Sequence, residues 1–391
     1  MEGTIHYITS HLHRAAPAPK DYLPALTGLR FVLALWVVLH HISGKGMMLE
    51  NWTNSLPFAV QSLVRGGYLA VQTFFLLSGF VLARNYTDAK WSGKDLVKYG
   101  AARLARIYPV YLLSLCVVAP FILETMAKPE IDPGRKVALL TDYVFVLQGW
   151  NGGLGVGWNT PAWSLSCEFF FYLFFPLVFP LLRRAGRVTT ALFLVMAFVT
   201  PVLLAHSDVP WFWKPIHHFS DFVAGIAAAR LYDFLAPRMR DRGGWLYLPA
   251  LTAGALLIIY PHVMDATYGD LNTGLRPLNV FALVGLALGG GFAARLLSTS
   301  AADYLGKISY SMYILHVPVL WWYGRWALHG SVFGMLHVSR PVAAVLYVLL
   351  VFAVAGLSFE WVEMPANRWI RKYVATRLAF RQSLVAEPVA A

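Results

Sequence analysis

The chain has 391 residues, of which 58% are hydrophobic and only 13% charged. An ordinary soluble domain carries about 25% charged residues, so 32 basic and 20 acidic side chains are too few to coat a water-facing surface of this size. A soluble enzyme, a disordered chain and a disulfide-stapled secreted domain are excluded together, since the two cysteines, Cys116 and Cys167, lie in apolar runs and make no framework. The net charge of +12 does not indicate nucleic acid, because the basic residues punctuate apolar runs and form no stripe. The composition predicts an all-α, polytopic membrane protein in a single bundle.

In chain order, residues 1–20 are polar and contain no apolar core of a secretory signal. A helix needs roughly 20 apolar residues to cross the hydrocarbon. The pattern predicts ten spans, near 26–44, 67–83, 107–124, 161–182, 188–206, 216–235, 245–261, 277–297, 304–324 and 341–361. The shorter stretch 137–150 contains Asp142 and is predicted to be a re-entrant or interfacial helix. Ten spans place both termini on one side. With that side cytoplasmic, 22 of the 32 basic residues fall on inside segments and nine on outside ones, while Arg30 lies within the first span. This is the positive-inside asymmetry. The expected organisation is a cytoplasmic segment over 1–25, a membrane domain over 26–363 and a cytoplasmic tail over 364–391. No internal repeat or linker marks a second domain, and about thirty residues after the last span are too few for an appended one. The chemistry is expected inside the bundle.

Ionisable groups within a membrane are costly and point to function by default. Arg30 and His41 in the first span are eleven residues apart, about 20° past three full turns, so they share a helix face roughly 16 Å apart in height. Separately, Arg30 reads as a snorkelling anchor and His41 as a packed histidine; together on one face they favour a site. Glu168, in PAWSLSCEFFFY, is expected about 10 Å below the outer surface, a depth similar to His41. A carboxylate there would fix the histidine's tautomer, and the plain alternative is a pair with any buried donor. His316, in GKISYSMYILHVP, is either a second polar wall of the same cavity or a satisfied core histidine. Ser78–Gly79 in FFLLSGF suits close helix packing, or a ligand approaching the backbone. Arg103 and Arg106 in RLARIYP share a helix face. They suit a phosphate-bearing ligand or lipid headgroups equally. HHFSD at 217–221 is one residue short of an HHxxxDG motif and has no glycine after Asp221, so it is set aside. Gly152, Gly153, Gly155 and Gly157 predict a flexible outer loop, with no strand or lysine to make a phosphate loop. No zinc-ligand spacing, HExxH, CxxC or GxSxG is present.

Read together, these motifs have an order. LPALTGLRFVLALWVVLHH holds an Arg-x10-His pattern at Arg30 and His41. GYLAVQTFFLLSGFVLARNY follows, then RLARIYPVY with Arg103 and Arg106, then WSLSCEFFFY with Trp163, Ser164 and Glu168, then ISYSMYILHVPV and FEWVEMP. In this order, nearly end to end, the chain resembles the acyltransferase-3 family of bacterial integral-membrane proteins that O-acylate sugars and other acceptors. The resemblance implies a ten-helix domain in the bacterial cytoplasmic membrane. It implies acyl-CoA as co-substrate, acetyl-CoA being the expected donor, with no permanently bound cofactor, no metal and no nucleic acid. Arg103 and Arg106 would hold the donor's phosphates, Arg30 would help to position it, and His41 would act as general base on an acceptor hydroxyl, or else carry the acyl group itself. Glu168 joins the catalytic set as the group orienting His41, an expectation from depth alone. Ser78, Trp163, Ser164, Tyr310 and His316 are assigned to substrate binding. Some family members carry a fused extracytoplasmic hydrolase-like domain, which is not seen here, so the acceptor is expected to meet the bundle directly. A glycan or glycolipid is the leading acceptor and a macrolide or other secondary metabolite the alternative. The competing class is a proton-coupled transporter, which would be expected to show paired repeats and broken helices; no repeat is seen.

Overall fold

The computed structural model describes residues 22–151, 157–210, 212–259, 268–328 and 338–386. Among these there is no strand. The main helices are α1 (Pro24–Ser43), α2 (Ala70–Asn85), α3 (Gly93–Met126), α4 (Pro133–Phe145), α5 (Trp163–Arg183), α6 (Arg187–Ala205), α7 (Lys214–Met239), α8 (Gly244–Ile259), α9 (Tyr268–Leu288), α10 (Gly291–Leu297), α11 (Ser300–Tyr323), α12 (Arg340–Ser358) and α13 (Met364–Ala386).

Helix occupies each of the ten predicted stretches, but not every helix is apolar enough to cross a bilayer on its own. Six are: Pro24–Ser43, Phe58–Asn85, Gly93–Met126, Thr160–Arg183, Arg187–Ala205 and Arg340–Phe380, with a seventh if one bent pair counts as a span. The protein is therefore multi-pass. The helices outside this set have physical reasons for their position. At 16 residues, α8 is short. Polar residues interrupt the other two: Lys214, His217, His218 and Asp221 in α7, and Asp303, Lys307 and His316 in α11. Asp221 and His316 are fully buried among neighbouring helices, while Lys307 is exposed and paired with Asp303 near the start of α11.

The stretch 277–297 differs from its expectation as one straight span. It breaks into α9 and α10, bent by 73°. Gly289, Gly290 and Gly291 all have φ near +80°, a conformation glycine adopts without penalty. A Cβ at Gly290 would lie 1.9 Å from the Asp241 carbonyl oxygen. The predicted short helix at 137–150 is α4, begun by Asp132, whose side chain accepts from the Arg135 amide, and ended at Val146 in left-handed geometry. Of the predicted glycine loop, Gly152, Gly153 and Gly155 lie outside the described residues.

Glycine contacts set the inner packing. A Cβ at Gly79 on α2 would meet Phe222 O at 2.1 Å, and one at Gly225 on α7 would meet Leu76 O at 2.0 Å. Only hydrogen fits at either crossing, the small-residue packing expected of membrane helices. In contrast α6 is peripheral, with just 11% of its apolar window buried. At the end of the chain α12 runs through a π-helical turn, Phe359–Glu363, directly into α13. Such turns shift the register of one helix face against the next.

Candidate active site

Helices α1, α2, α3, α5, α11 and α13 enclose a cavity of about 240 Å³. Seven of the predicted site residues line it: Arg30, Ser78, Arg103, Arg106, Ser164, Glu168 and Tyr310. Tyr172, Tyr313 and Arg371 complete its polar wall. Residues from six sequence-distant elements thus converge on one space.

The arginines are not equivalent. Arg106 forms an ion pair with buried Glu363, whose other oxygen accepts from Ser311 Oγ at 2.8 Å. Its guanidinium also lies 5.0 Å from the Tyr310 ring centre. This charge is already matched. Arg103 lies over three tyrosine rings, Tyr86, Tyr99 and Tyr172, at 5.9, 5.8 and 5.5 Å. The ring faces attract a cation but do not neutralise it. Its buried Nε has no hydrogen-bond partner among the described residues. Across the cavity Tyr172 donates to Glu168 Oε2 at 2.9 Å, with Ser78 Oγ 3.5 Å from the same hydroxyl. The packing reading of Ser78–Gly79 is seen at Gly79, which packs against α7, while Ser78 lines the cavity.

The histidines form a separate unit. His41, half-buried near the end of α1, lies 3.3 Å from fully buried His316 on α11, Nδ1 to Nε2. For a neutral pair the bonding is met by one set of tautomers. A carbonyl oxygen only accepts, so His316 Nδ1, 2.7 Å from Tyr313 O, carries a hydrogen and leaves Nε2 as acceptor. His41 Nδ1 faces that acceptor and also lies 2.9 Å from Val37 O, so it too carries the hydrogen. His41 Nε2 is left with a free lone pair, the form needed to accept a proton. On the far side, Tyr347 OH donates to the His316 carbonyl at 2.8 Å and steadies this turn of α11.

This corrects one expectation. Glu168 was placed beside His41 on depth alone, yet its bond goes to Tyr172, and the groups bonded to His41 are Val37 and His316. Similar depth leaves the azimuth of a helix open. The side chain beside His41 is His316. The histidine pair lies one helical turn beyond the cavity, past Tyr313, whose ring centre is 6.1 Å from that of His316.

Trp163 also goes elsewhere. It lines a second cavity of about 430 Å³ with Asp142, Gln148, Asn151, Asn159 and Lys214. Successive helix residues diverge by about 100°, so Trp163 and Ser164 serve different cavities. Asn151 donates to both Asp142 oxygens, at 2.8 and 2.9 Å, and Lys214 Nζ lies 5.0 Å from the Trp163 ring centre. Asn159 Nδ2 donates to Ile314 O at 3.1 Å, which ties this cavity to α11 two residues before His316.

The segment 217–221, set aside as a motif, is a structural clamp. His218 Nδ1 lies 3.0 Å from Asp221 Oδ2, and Asp221 pairs with Arg276 of α9. Asp221 and Arg276 are both buried and His218 lines neither cavity. Arg276 is one of the nine basic residues that the ten-span reading places outside; its charge is instead used within the bundle. Glu363, Arg371, Tyr172 and Tyr313 carry no role on the sequence reading. Glu363 stood in the quoted FEWVEMP, but its partner Arg106 is 257 positions away, and no local pattern announces such a pair.

Apolar helices around a cavity of guanidiniums, with a poised histidine beyond it, define a multi-pass membrane protein with a buried charged site. The chain belongs to the acyltransferase-3 family: the family's acyltransferase domain matches residues 23–360. It is 30% identical over 388 residues to the acyltransferase MdmB of Streptomyces mycarofaciens, covering 90% of this chain and 94% of that protein. It is 23% identical to the O-acetyltransferase OatA of Staphylococcus aureus, over 89% of this chain and 57% of that one. It is 21% identical to the peptidoglycan O-acetyltransferase OatA of Listeria monocytogenes, over 91% and 58%. The chain thus spans a little over half the length of the two OatA proteins. No solved structure matches. Family and relatives together support acyltransferase activity.

Proposed function

We propose that the protein is a membrane O-acyltransferase that moves an acyl group, acetyl in the first instance, from cytoplasmic acyl-CoA to a hydroxyl of a glycan or glycolipid. The observation that carries this reading is the arginine-lined cavity ending at Tyr313, with His41 Nε2 free one turn further on. The donor's phosphates meet Arg103 and Arg30, and its pantetheine arm runs along the cavity towards the histidines. His41 Nε2 takes the acceptor's hydroxyl proton as the oxygen attacks the thioester carbonyl. The tetrahedral intermediate then collapses, the C–S bond breaks, and CoA leaves as the thiolate. His316 holds His41 in the productive tautomer. The acceptor approaches through the cavity of Trp163, Asp142 and Asn151, whose neutral and aromatic groups suit a polyhydroxyl ring. The peptidoglycan named for the Listeria relative supports a glycan.

The same reading takes all ten helical stretches as crossings, in a bacterial cytoplasmic membrane with both termini inside. The membrane acyltransferase domain is 26–363, between the segments 1–25 and 364–391 on the cytoplasmic side. Support comes from the basic-residue asymmetry of the sequence. The test is transfer from labelled acetyl-CoA by the purified full chain. His41→Ala must remove it while CoA binding persists, and full transfer by that variant would refute the base assignment.

A further inference from the structure

The family match ends at residue 360, yet the cavity wall does not. Three residues beyond that boundary, Glu363, Asn367 and Arg371, are four apart, and positions i, i+4 and i+8 share one helix face. All three face α3 or the cavity it borders. Glu363 pairs with Arg106, Asn367 Nδ2 donates to Ala105 O at 3.3 Å, and Arg371 reaches the cavity beside Arg103. The π turn sets this register, and two contacts before Arg371 hold it.

Charge balance shows what the third residue is for. Arg106 is matched by Glu363. Arg30, Arg103 and Arg371 then share the cavity with one carboxylate, Glu168. None of these three arginines has a hydrogen bond or carboxylate partner among the described residues. Two positive charges are left over, with Arg30 and Arg103 half-buried and Arg371 exposed at the mouth. An anion carrying about two charges resolves the excess, and the planar forks of paired guanidiniums suit pairs of oxygens on a phosphate ester.

We propose that Arg371 of the terminal helix, with Arg103, binds a phosphate group of the acyl donor, so that α13 is part of the donor site and not a tail. This rests on the donor reading above. The shared chemistry is a phosphate ester, which a phospholipid headgroup also presents, and the experiment separates the two. Full-length protein in detergent is titrated with CoA by calorimetry, for the natural chain, Arg371→Ala and Arg371→Lys. Arg371 is exposed at the mouth, so neither substitution disturbs the core. The expected result is affinity about tenfold weaker for Arg371→Ala, with Arg371→Lys in between, since a lysine keeps the charge without the fork. In kinetics the loss falls on KM for the donor and not on kcat. Equal CoA affinity in Arg371→Ala and the natural chain overturns the proposal and leaves the donor reading standing. No CoA binding by the natural chain overturns the donor reading and the phosphate assignment with it. If Arg371→Ala leaves CoA binding intact but weakens binding to phosphatidylglycerol nanodiscs, the headgroup is the ligand and the proposal fails.

Discussion

The two cavities that adjoin α5 differ in chemistry. The first gathers four guanidiniums and a row of tyrosines, while the second is lined by Trp163, two asparagines, a glutamine, Asp142 and Lys214. In the second, the carboxylate is already bonded to Asn151 and the lysine lies by an aromatic ring. In the first, positive charge exceeds negative. On the proposed reading the first space takes the anionic donor and the second the neutral, hydrogen-bonding acceptor. Such a division suits direct transfer, in which donor and acceptor are bound at once.

The largest test of that comparison is at the histidine pair, one turn beyond the first cavity. His41→Ala should lower transfer by about 10²–10⁴-fold, the usual scale of a lost general base, with donor and acceptor affinities unchanged in binding assays. Next is the pair at the foot of the arginine cavity. Breaking a buried ion pair costs about 3–5 kcal/mol, so Arg106→Ala should lower the thermal midpoint in detergent markedly. The double variant Arg106→Met with Glu363→Gln should recover much of that loss, since neither charge is then left alone. A smaller effect is expected at Arg103. Arg103→Ala should raise KM for acyl-CoA by about tenfold, roughly the 1.4 kcal/mol of one charge-assisted contact, and leave acceptor KM alone. The smallest lies in the second cavity. Asp142→Asn should alter acceptor KM by about fivefold, near 1 kcal/mol for one hydrogen bond, without effect on donor KM. If either of these last two substitutions moved the other substrate's KM, the separation of the cavities would be lost.

Much of the fold was legible because the bilayer imposes a simple rule: about 20 apolar residues make a crossing. Less legible were the features set by partners. The break at Gly289–Gly290 was hidden inside an apolar run and depends on the chain meeting Asp241. The site was legible as a list of costly polar residues, and seven of them share one cavity. Its grouping was not. Glu168 and His41 looked like partners by depth, yet helix rotation sends one to Tyr172 and the other to His316. His218 and Asp221, discounted as a motif, found each other and Arg276 in the core.

The sequence by itself determined that the protein is an apolar helical bundle, and which few ionisable residues sit inside it, because one-dimensional hydropathy is enough to choose between lipid and water. The tertiary structure alone decided which of those residues meet. It matched Arg106 with Glu363, aligned His316 behind His41 and brought Arg371 to the cavity. Such pairings depend on the rotation and crossing of helices, which close contacts such as Gly79 against Phe222 fix. Periodicity along one chain carries no information about the azimuth of another.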